Sequence, residues 1–441
     1  MPARLSQFFD PPQQQGDRAL RRIFWTALIV RLLYITLAHT YRIRVANDHF
    51  EFGWEMGRIA RALATGHGFA DPFEGRTGPT AWTPPLYPLL LAAVFKLFGV
   101  YTLTSAWVIL AINSVFSAAT APAVYQIARR TFARTPDARA IALWSAWLWA
   151  LYPAAMQYAV RWVWDMSLTA CLFAWIIVLA LRLRGLGGPT TPPQPVKLWP
   201  LFGLLWGLIA LSNSSLLAFL PACVLWIVWP TLRQPSTLRN LAISAVIFSA
   251  VVSPWVIRNY AAFHAFVPMR SNFGAELYES AQLENEGYPW VATLPHAQAD
   301  PDFQRYKRLG ELVYSREQGA RAWAIIRTHR RVFLAHMLKR VWFFWVSVPH
   351  PTGETFKGLL NETAREMSYA FLSLSGLLGL ALALRNRIPG AWLFFWAFVT
   401  IPLLYYVVTV QARFRHPIEP LLCVLAVYLF RSAQPATRTK A

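Results

Sequence analysis

Apolar residues run in long blocks separated by shorter polar connections, and the blocks recur along the whole chain. A block of about 20 apolar residues matches a bilayer core crossed by a helix rising 1.5 Å per residue. The pattern predicts ten spans, at 22–40, 103–127, 139–158, 166–183, 198–212, 215–230, 240–256, 366–384, 390–410 and 417–431. The fold class is an all-α polytopic membrane protein with two long connections, 41–102 and 257–365. In the first, Phe52, Met56, Ile59 and Leu63 recur at helical spacing, while Glu51, Glu55 and Arg58 mark another, solvated face. That is a short amphipathic interfacial helix, ended by Gly66-His67-Gly68. A second apolar segment, Leu86 to Gly99, is short for a span and carries Lys96. Were it to cross, every later connection would change sides, so it reads as another interfacial helix. The second connection is polar through 270–330, punctuated by Asn285, Gly287, Pro289, Pro295 and Pro301. It then rises into Leu334, Met337, Leu338, Val341, Trp342 and Trp345, one helical face beside Arg330, Arg331, Lys339 and Arg340.

Composition agrees: 56% of the 441 residues are hydrophobic and 14% charged, against about 25% charged in a soluble domain. The net charge of +21 is explained by where the bases fall. Arg18, Arg21 and Arg22 precede the first span; Arg129, Arg130, Arg134 and Arg139 lie between the second and third. Arg182, Arg184, Lys197, Arg233, Arg239, Arg385, Arg387, Arg431, Arg438 and Lys440 complete alternate connections opposed only by Asp10, Asp17 and Asp137. This is the positive-inside pattern, with both termini cytoplasmic. No basic stripe is interleaved with stacking aromatics in a soluble segment, so no nucleic-acid partner is expected. Cys171, Cys223 and Cys423 all lie in apolar runs, without the spacing of a disulfide framework or a zinc site. The N-terminal run contains Arg31 and lacks an Ala-x-Ala site, which predicts a retained helix rather than a cleaved signal. The expected organisation is a cytoplasmic tail (1–21), an N-terminal membrane module (22–256) with its outer loop 41–102, an extracytoplasmic loop (257–365), C-terminal spans (366–431) and a tail (432–441).

Nearly all the acids fall in the two outer connections, which places any chemistry on the extracytoplasmic face. There the residues carry a resemblance. Asn47-Asp48 directly follows the first span, then comes the amphipathic helix ending in Gly66-His67-Gly68-Phe69. Thr80-Ala81-Trp82-Thr83-Pro84-Pro85-Leu86-Tyr87-Pro88 follows, and the next apolar segment closes in Phe98-Gly99. Together with Ser253-Pro254-Trp255-Val256-Ile257-Arg258-Asn259-Tyr260 and Arg413-Phe414-Arg415-His416-Pro417-Ile418-Glu419-Pro420, these runs resemble the GT-C superfamily of polytopic glycosyltransferases. The nearest branch is the bacterial family-39 and RgtA/B/C/D-like group, related to protein O-mannosyltransferases and the aminoarabinose transferase of lipid A. The resemblance covers residues 20 to 430. It implies inverting transfer of a sugar from a polyprenyl-phosphate donor to a glycan, lipid or protein acceptor outside the cytoplasmic membrane. It puts the catalytic acid at Asp48 and a further acid of the active centre at Asp165. Many relatives carry Asp-Glu where this chain has Asp48-His49, so their metal role does not carry over and a divalent cation stays open as a cofactor.

Each candidate also has a plain structural reading. Asp48 could be the base that takes the acceptor hydroxyl proton opposite the leaving group, or the N-cap of the first-loop helix, with Glu51 three residues on. Asp165 could serve the site as an isolated acid at membrane depth, or simply pair with Arg161 one turn before it. Arg258, Arg413 and Arg415 fall at outer span ends, where a planar guanidinium suits a lipid phosphate and where arginines also snorkel to headgroups. Arg270 and His416 are further substrate-binding candidates. His67 and His264 read as structural, and Ser212-Asn213-Ser214-Ser215 as a turn or the wall of a polar cavity. The rival class is a transporter or lipid flippase. It would favour internal repeats and midplane charges; no repeat is visible, and Arg31 stands nearly alone within the spans.

Overall fold

The computed structural model describes residues 14–43, 51–187, 197–289, 294–295, 297–349 and 356–433. Among them the regular elements are helices, and the one β pairing is an isolated bridge between Ala70 and Pro79. Five helical stretches are long and apolar enough to cross a membrane: Leu103–Thr131, Met166–Leu183, Ser214–Thr231, Pro235–Phe263 and Leu360–Arg385. Leu86–Phe98, Ala138–Leu151, Leu198–Ala210 and Ala391–Val407 are apolar but shorter.

The expected span 139–158 is two helices. α1 (Gln14–Leu37), α2 (Trp54–Ala64), α3 (Leu86–Phe98) and α4 (Leu103–Thr131) precede it; α5 (Ala138–Leu151) then gives way to α6 (Pro153–Arg161) at an extended Tyr152. Pro153 has no N–H to continue the ladder. The carbonyl of Ala150 at this break is taken instead by Arg31 of α1, whose Nη1 lies 2.9 Å away. The lone arginine inside the first span is thus bound to a neighbouring backbone. α4 packs against α1, α5 and α7 (Met166–Leu183).

Helices also meet through small residues, as lipid-immersed helices commonly do. In α8 (Leu198–Ala210) the backbone at Gly203 lies so close to the helix that follows α9 (Leu220–Val228), α10 (Pro235–Phe263), that an added Cβ would be 2.2 Å from the Ser244 carbonyl oxygen. Ser244 Oγ returns a hydrogen bond to Trp199 O at 2.6 Å.

The two long connections fold against one another. α11 (Phe273–Ala281), α12 (Phe303–Leu309), α13 (Glu311–Thr328) and α14 (Arg330–Val346) fill the second, where the breakers had suggested polar loop up to residue 330. Phe73 and Trp82 of the first connection share an aromatic core with Phe303, Tyr306 and Tyr314 of the second. α3, at 13 residues, spans about 20 Å, less than the roughly 30 Å of a bilayer core. α15 (Phe356–Arg385), α16 (Ala391–Val407) and α17 (Glu419–Ser432) complete the bundle, with a 3-10 helix at Ala412–Ile418 leading into α17.

Candidate active site

The loops are clamped before they form a site. Glu311, at the start of α13 and buried, accepts from the Ala81 N–H at 2.6 Å, the Tyr306 hydroxyl at 3.0 Å, and the hydroxyls of Thr80 and Ser271. Arg258 Nη1 donates to Thr80 O at 2.6 Å and Nη2 to Phe69 O, with the guanidinium over the rings of Phe69 and Trp255. Arg270 Nε donates to Trp82 O at 3.0 Å. The run Thr80-Ala81-Trp82 is therefore fixed to the second connection, and Arg258 is engaged with protein rather than facing open space.

Beside this clamp lies a cavity of about 610 Å³. Its walls include the start of α2, the Trp82–Pro84 run, the turn between α6 and α7, the serine turn after α8, α11 with the residues just before it, the end of α16, and the 3-10 helix before α17. Trp54 stacks on Trp162 at 5.5 Å between centroids and meets Trp164 at 4.9 Å. Asp165 stands at the head of α7, where α6 ends at Arg161 and Trp162 is extended. Thr169 Oγ1 donates to it at 3.2 Å and lies 3.0 Å from Ser212 Oγ, which joins the serine turn to the same polar patch. Burial pushes the Asp165 carboxyl up to about 6, against the Thr169 hydrogen bond and the attraction of Arg413 and Arg270.

Arg413 enters from the opposite wall with its guanidinium 4.2 Å from the Trp164 ring centre. Among the described residues its Nε has no hydrogen-bond partner. Burial lowers its pKa, while Glu55, Asp165 and Glu276 are among the groups that raise it. Arg270 Nη2 is 3.6 Å from Glu276, which also accepts from Asn272 at 2.8 Å.

The expected site residues thus separate. Asp165, Arg270 and Arg413 line one cavity. Arg415 and His416, two and three residues past Arg413, point into the bundle. Arg415 Nη2 is 3.1 Å from Glu419, whose other oxygen is 2.6 Å from His416 Nδ1, all three fully buried. Arg415 also donates to Trp345 O at 2.8 Å, and His416 stacks on Trp149. Arg161 turns away from Asp165 and donates to the Tyr34 hydroxyl at 2.9 Å. Asp48, with His49, lies outside the described residues. The N-cap of α2 is Gly53, in the left-handed region at φ 105°, so the capping position considered for Asp48 belongs to another residue.

Three cavity acids carried different expectations. Glu55, expected on a solvated face, is buried and lines the cavity together with residues of the second connection. Glu276 and Glu279 were not singled out; their signal was the three-residue spacing Phe273, Glu276, Glu279. Burial raises Glu276 and raises Glu279 well above the ordinary carboxyl range. Among the described residues no group of three or more His, Cys, Asp or Glu is placed to hold a metal ion.

No family model matches the chain, and no curated protein matches it in sequence. Solved structures do match in fold. The apo oligosaccharyltransferase of Archaeoglobus fulgidus aligns over 97% of this chain and 51% of its own, with TM-score 0.51 and 14% identity. The same enzyme with an inhibitory peptide and a dolichol-phosphate aligns over 93% and 50%, at TM-score 0.47 and 14% identity. ArnT from Cupriavidus metallidurans bound to undecaprenyl phosphate aligns over 93% and 78%, at TM-score 0.41 and 13% identity. The chain spans about half the length of the oligosaccharyltransferase. The likeness to the apo oligosaccharyltransferase is one of fold.

Proposed function

We propose that this protein is a membrane glycosyltransferase. It moves a sugar from a polyprenyl-phosphate donor to a glycan, lipid or protein acceptor on the extracytoplasmic face, with inversion. The observation that carries the reading is the cavity itself: Asp165 and Arg413 line one tryptophan-walled space between the two outer connections.

The chemistry assigns the parts. The acceptor oxygen attacks the anomeric carbon as the bond from that carbon to the phosphate oxygen breaks. The electron pair leaves on the polyprenyl phosphate, and the acceptor proton passes to a carboxylate. Asp48 is the base in this reading, carried by its place after the first span. Asp165 orients the acceptor hydroxyl. Arg413, its guanidinium over the Trp164 ring, and Arg270 meet the charge that grows on the leaving phosphate. Arg258 and Arg415 act at one remove, by holding the loops and the turn that carry those groups.

The test is sugar transfer or release from radiolabelled undecaprenyl-phosphate sugars by purified protein in nanodiscs, with and without EDTA. Wild-type turnover that falls at least a hundredfold in Asp48→Asn, with folding and donor binding retained, is the expected result. Undiminished turnover in Asp48→Asn would remove it as the base, and a wild type that binds no donor would overturn the reading.

A further inference from the structure

α11 places Phe273, Glu276 and Glu279 on one face, toward the cavity. The two acids differ in what holds them. Glu276 is occupied by Arg270 and Asn272. Glu279, one turn on, is 5% exposed. The hydrogen bonds at this residue, from Asn285 Nδ2 and Gln282 N, go to its main-chain carbonyl; its carboxyl has no partner among the described residues. Its oxygens are not sealed in the core but face the cavity.

The helix that carries it is held from two sides. Arg340, itself buried, donates through Nη2 to Ser280 O and through Nη1 to Val407 O at 3.2 Å, fastening the end of α11 to α16. On the other side Gly274 packs so tightly on α13 that an added Cβ would be 1.9 Å from Ser315 O. Glu279 is thus a fixed polar group on a cavity whose lining includes four indoles, those of Trp54, Trp82, Trp162 and Trp164.

That combination fits a polyhydroxylated ring, whose C–H faces lie against aromatic surface while its hydroxyl edge needs polar partners. The charges that reach Glu279 include Arg413 and Glu55 as well as Glu276 and Arg340. Arg270, assigned to the donor phosphate, lies 3.6 Å from Glu276, one turn before Glu279 on the same cavity-lining helix, which puts Glu279 next to the end where the sugar is attached. We propose that Glu279 is a specificity-determining residue that hydrogen-bonds a hydroxyl of the donor's sugar ring. This rests on the donor reading above.

Equilibrium binding in nanodiscs tests it without an acceptor. The probes are tritiated undecaprenyl phosphate, a panel of undecaprenyl-phosphate pentoses and hexoses, and monodeoxy counterparts of whichever sugar the wild type binds tightest. Glu279→Ala and Glu279→Gln are compared with wild type. The expected result is a loss of about 10- to 100-fold for the full sugar in Glu279→Ala, with a smaller loss in Glu279→Gln. One monodeoxy sugar binds wild type and Glu279→Ala equally, and bare undecaprenyl phosphate binds all three proteins alike. Wild-type discrimination among deoxy sugars that persists unchanged in Glu279→Ala overturns the inference alone. Equal weakening of bare undecaprenyl phosphate also overturns it, as a structural effect. Failure of the wild type to bind any probe overturns the donor reading with it.

Discussion

Asp165 is held at a cost that its chemistry explains. Its carboxyl, about 3.8 when free, is pushed up to about 6 by burial, so ionising it opposes folding. Protonated below its unfolded value, the group carries no penalty; as pH rises through about 6 the penalty grows to its full size and then stays constant. At 1.36 kcal/mol per unit the ceiling is about 3 kcal/mol. Asp165→Asn keeps the shape and the Thr169 partner without the charge. It is expected to melt several degrees above wild type at pH 7.5 and to converge with it near pH 4, read by scanning fluorimetry in detergent. Sugar transfer by the same variant falls tenfold or more. A variant with unchanged stability at pH 7.5 would mean that Asp165 is solvated, and its place in the site would fall. At this scale the sequence was informative about which residues are unusual and silent about their partners. Arg258, Arg413 and Arg415 looked alike at span ends, yet Thr80 and Phe69 carbonyls engage the first, Trp164 flanks the second and Glu419 holds the third.

At the scale of elements, the turn Ala412–Ile418 shows how a short basic connection aims one charge. Arg415 and His416 close on Glu419 one helical turn away, and this sealed triad fixes the register that points Arg413 the other way, into the cavity. Removing one member of a buried ionic set leaves the others uncompensated, which costs about 3–5 kcal/mol, whereas replacing the set by apolar groups is often neutral. Glu419→Gln is accordingly expected to destabilise the protein strongly in thermal melts. The double variant Arg415→Met with Glu419→Leu recovers most of that loss. Equal destabilisation by both would show that the charges themselves hold the turn. The helices α2, α3 and α14 were visible in the sequence because the pattern within one element is local. The break at Pro153 is local to the proline but was masked by the continuous apolar run 139–158, whereas the burial of Glu55 depends on the distant segments that line the same cavity. α11 was hidden by short length and polar composition; its packing on α13 rather than its own pattern makes it a helix.

The whole molecule has two unlike ends. The cavity is built from the head of α7, the turn after α8, the end of α16 and the two long connections. At the far ends of the same helices the bases gather: Arg130 donates to Leu186 O at 3.1 Å, and Arg431 pairs with Asp137 at 3.0 Å, joining the end of α17 to the start of α5. Excess basic charge stays on the cytoplasmic side, so the cavity should open outward, where a lipid-linked sugar donor would be met. Cysteine labelling suits this protein because Cys171, Cys223 and Cys423 are all buried and contribute little background. Arg76, exposed on the first connection, and Arg134, exposed between α4 and α5, report opposite ends. In intact cells Arg76→Cys is expected to react with a membrane-impermeant maleimide, and Arg134→Cys only after the membrane is opened. The reverse pattern would turn the cavity toward the cytoplasm. An outward donor would then be excluded, while the indole-walled cavity and its fixed carboxyls would still have to be explained by a ligand met on the inner face.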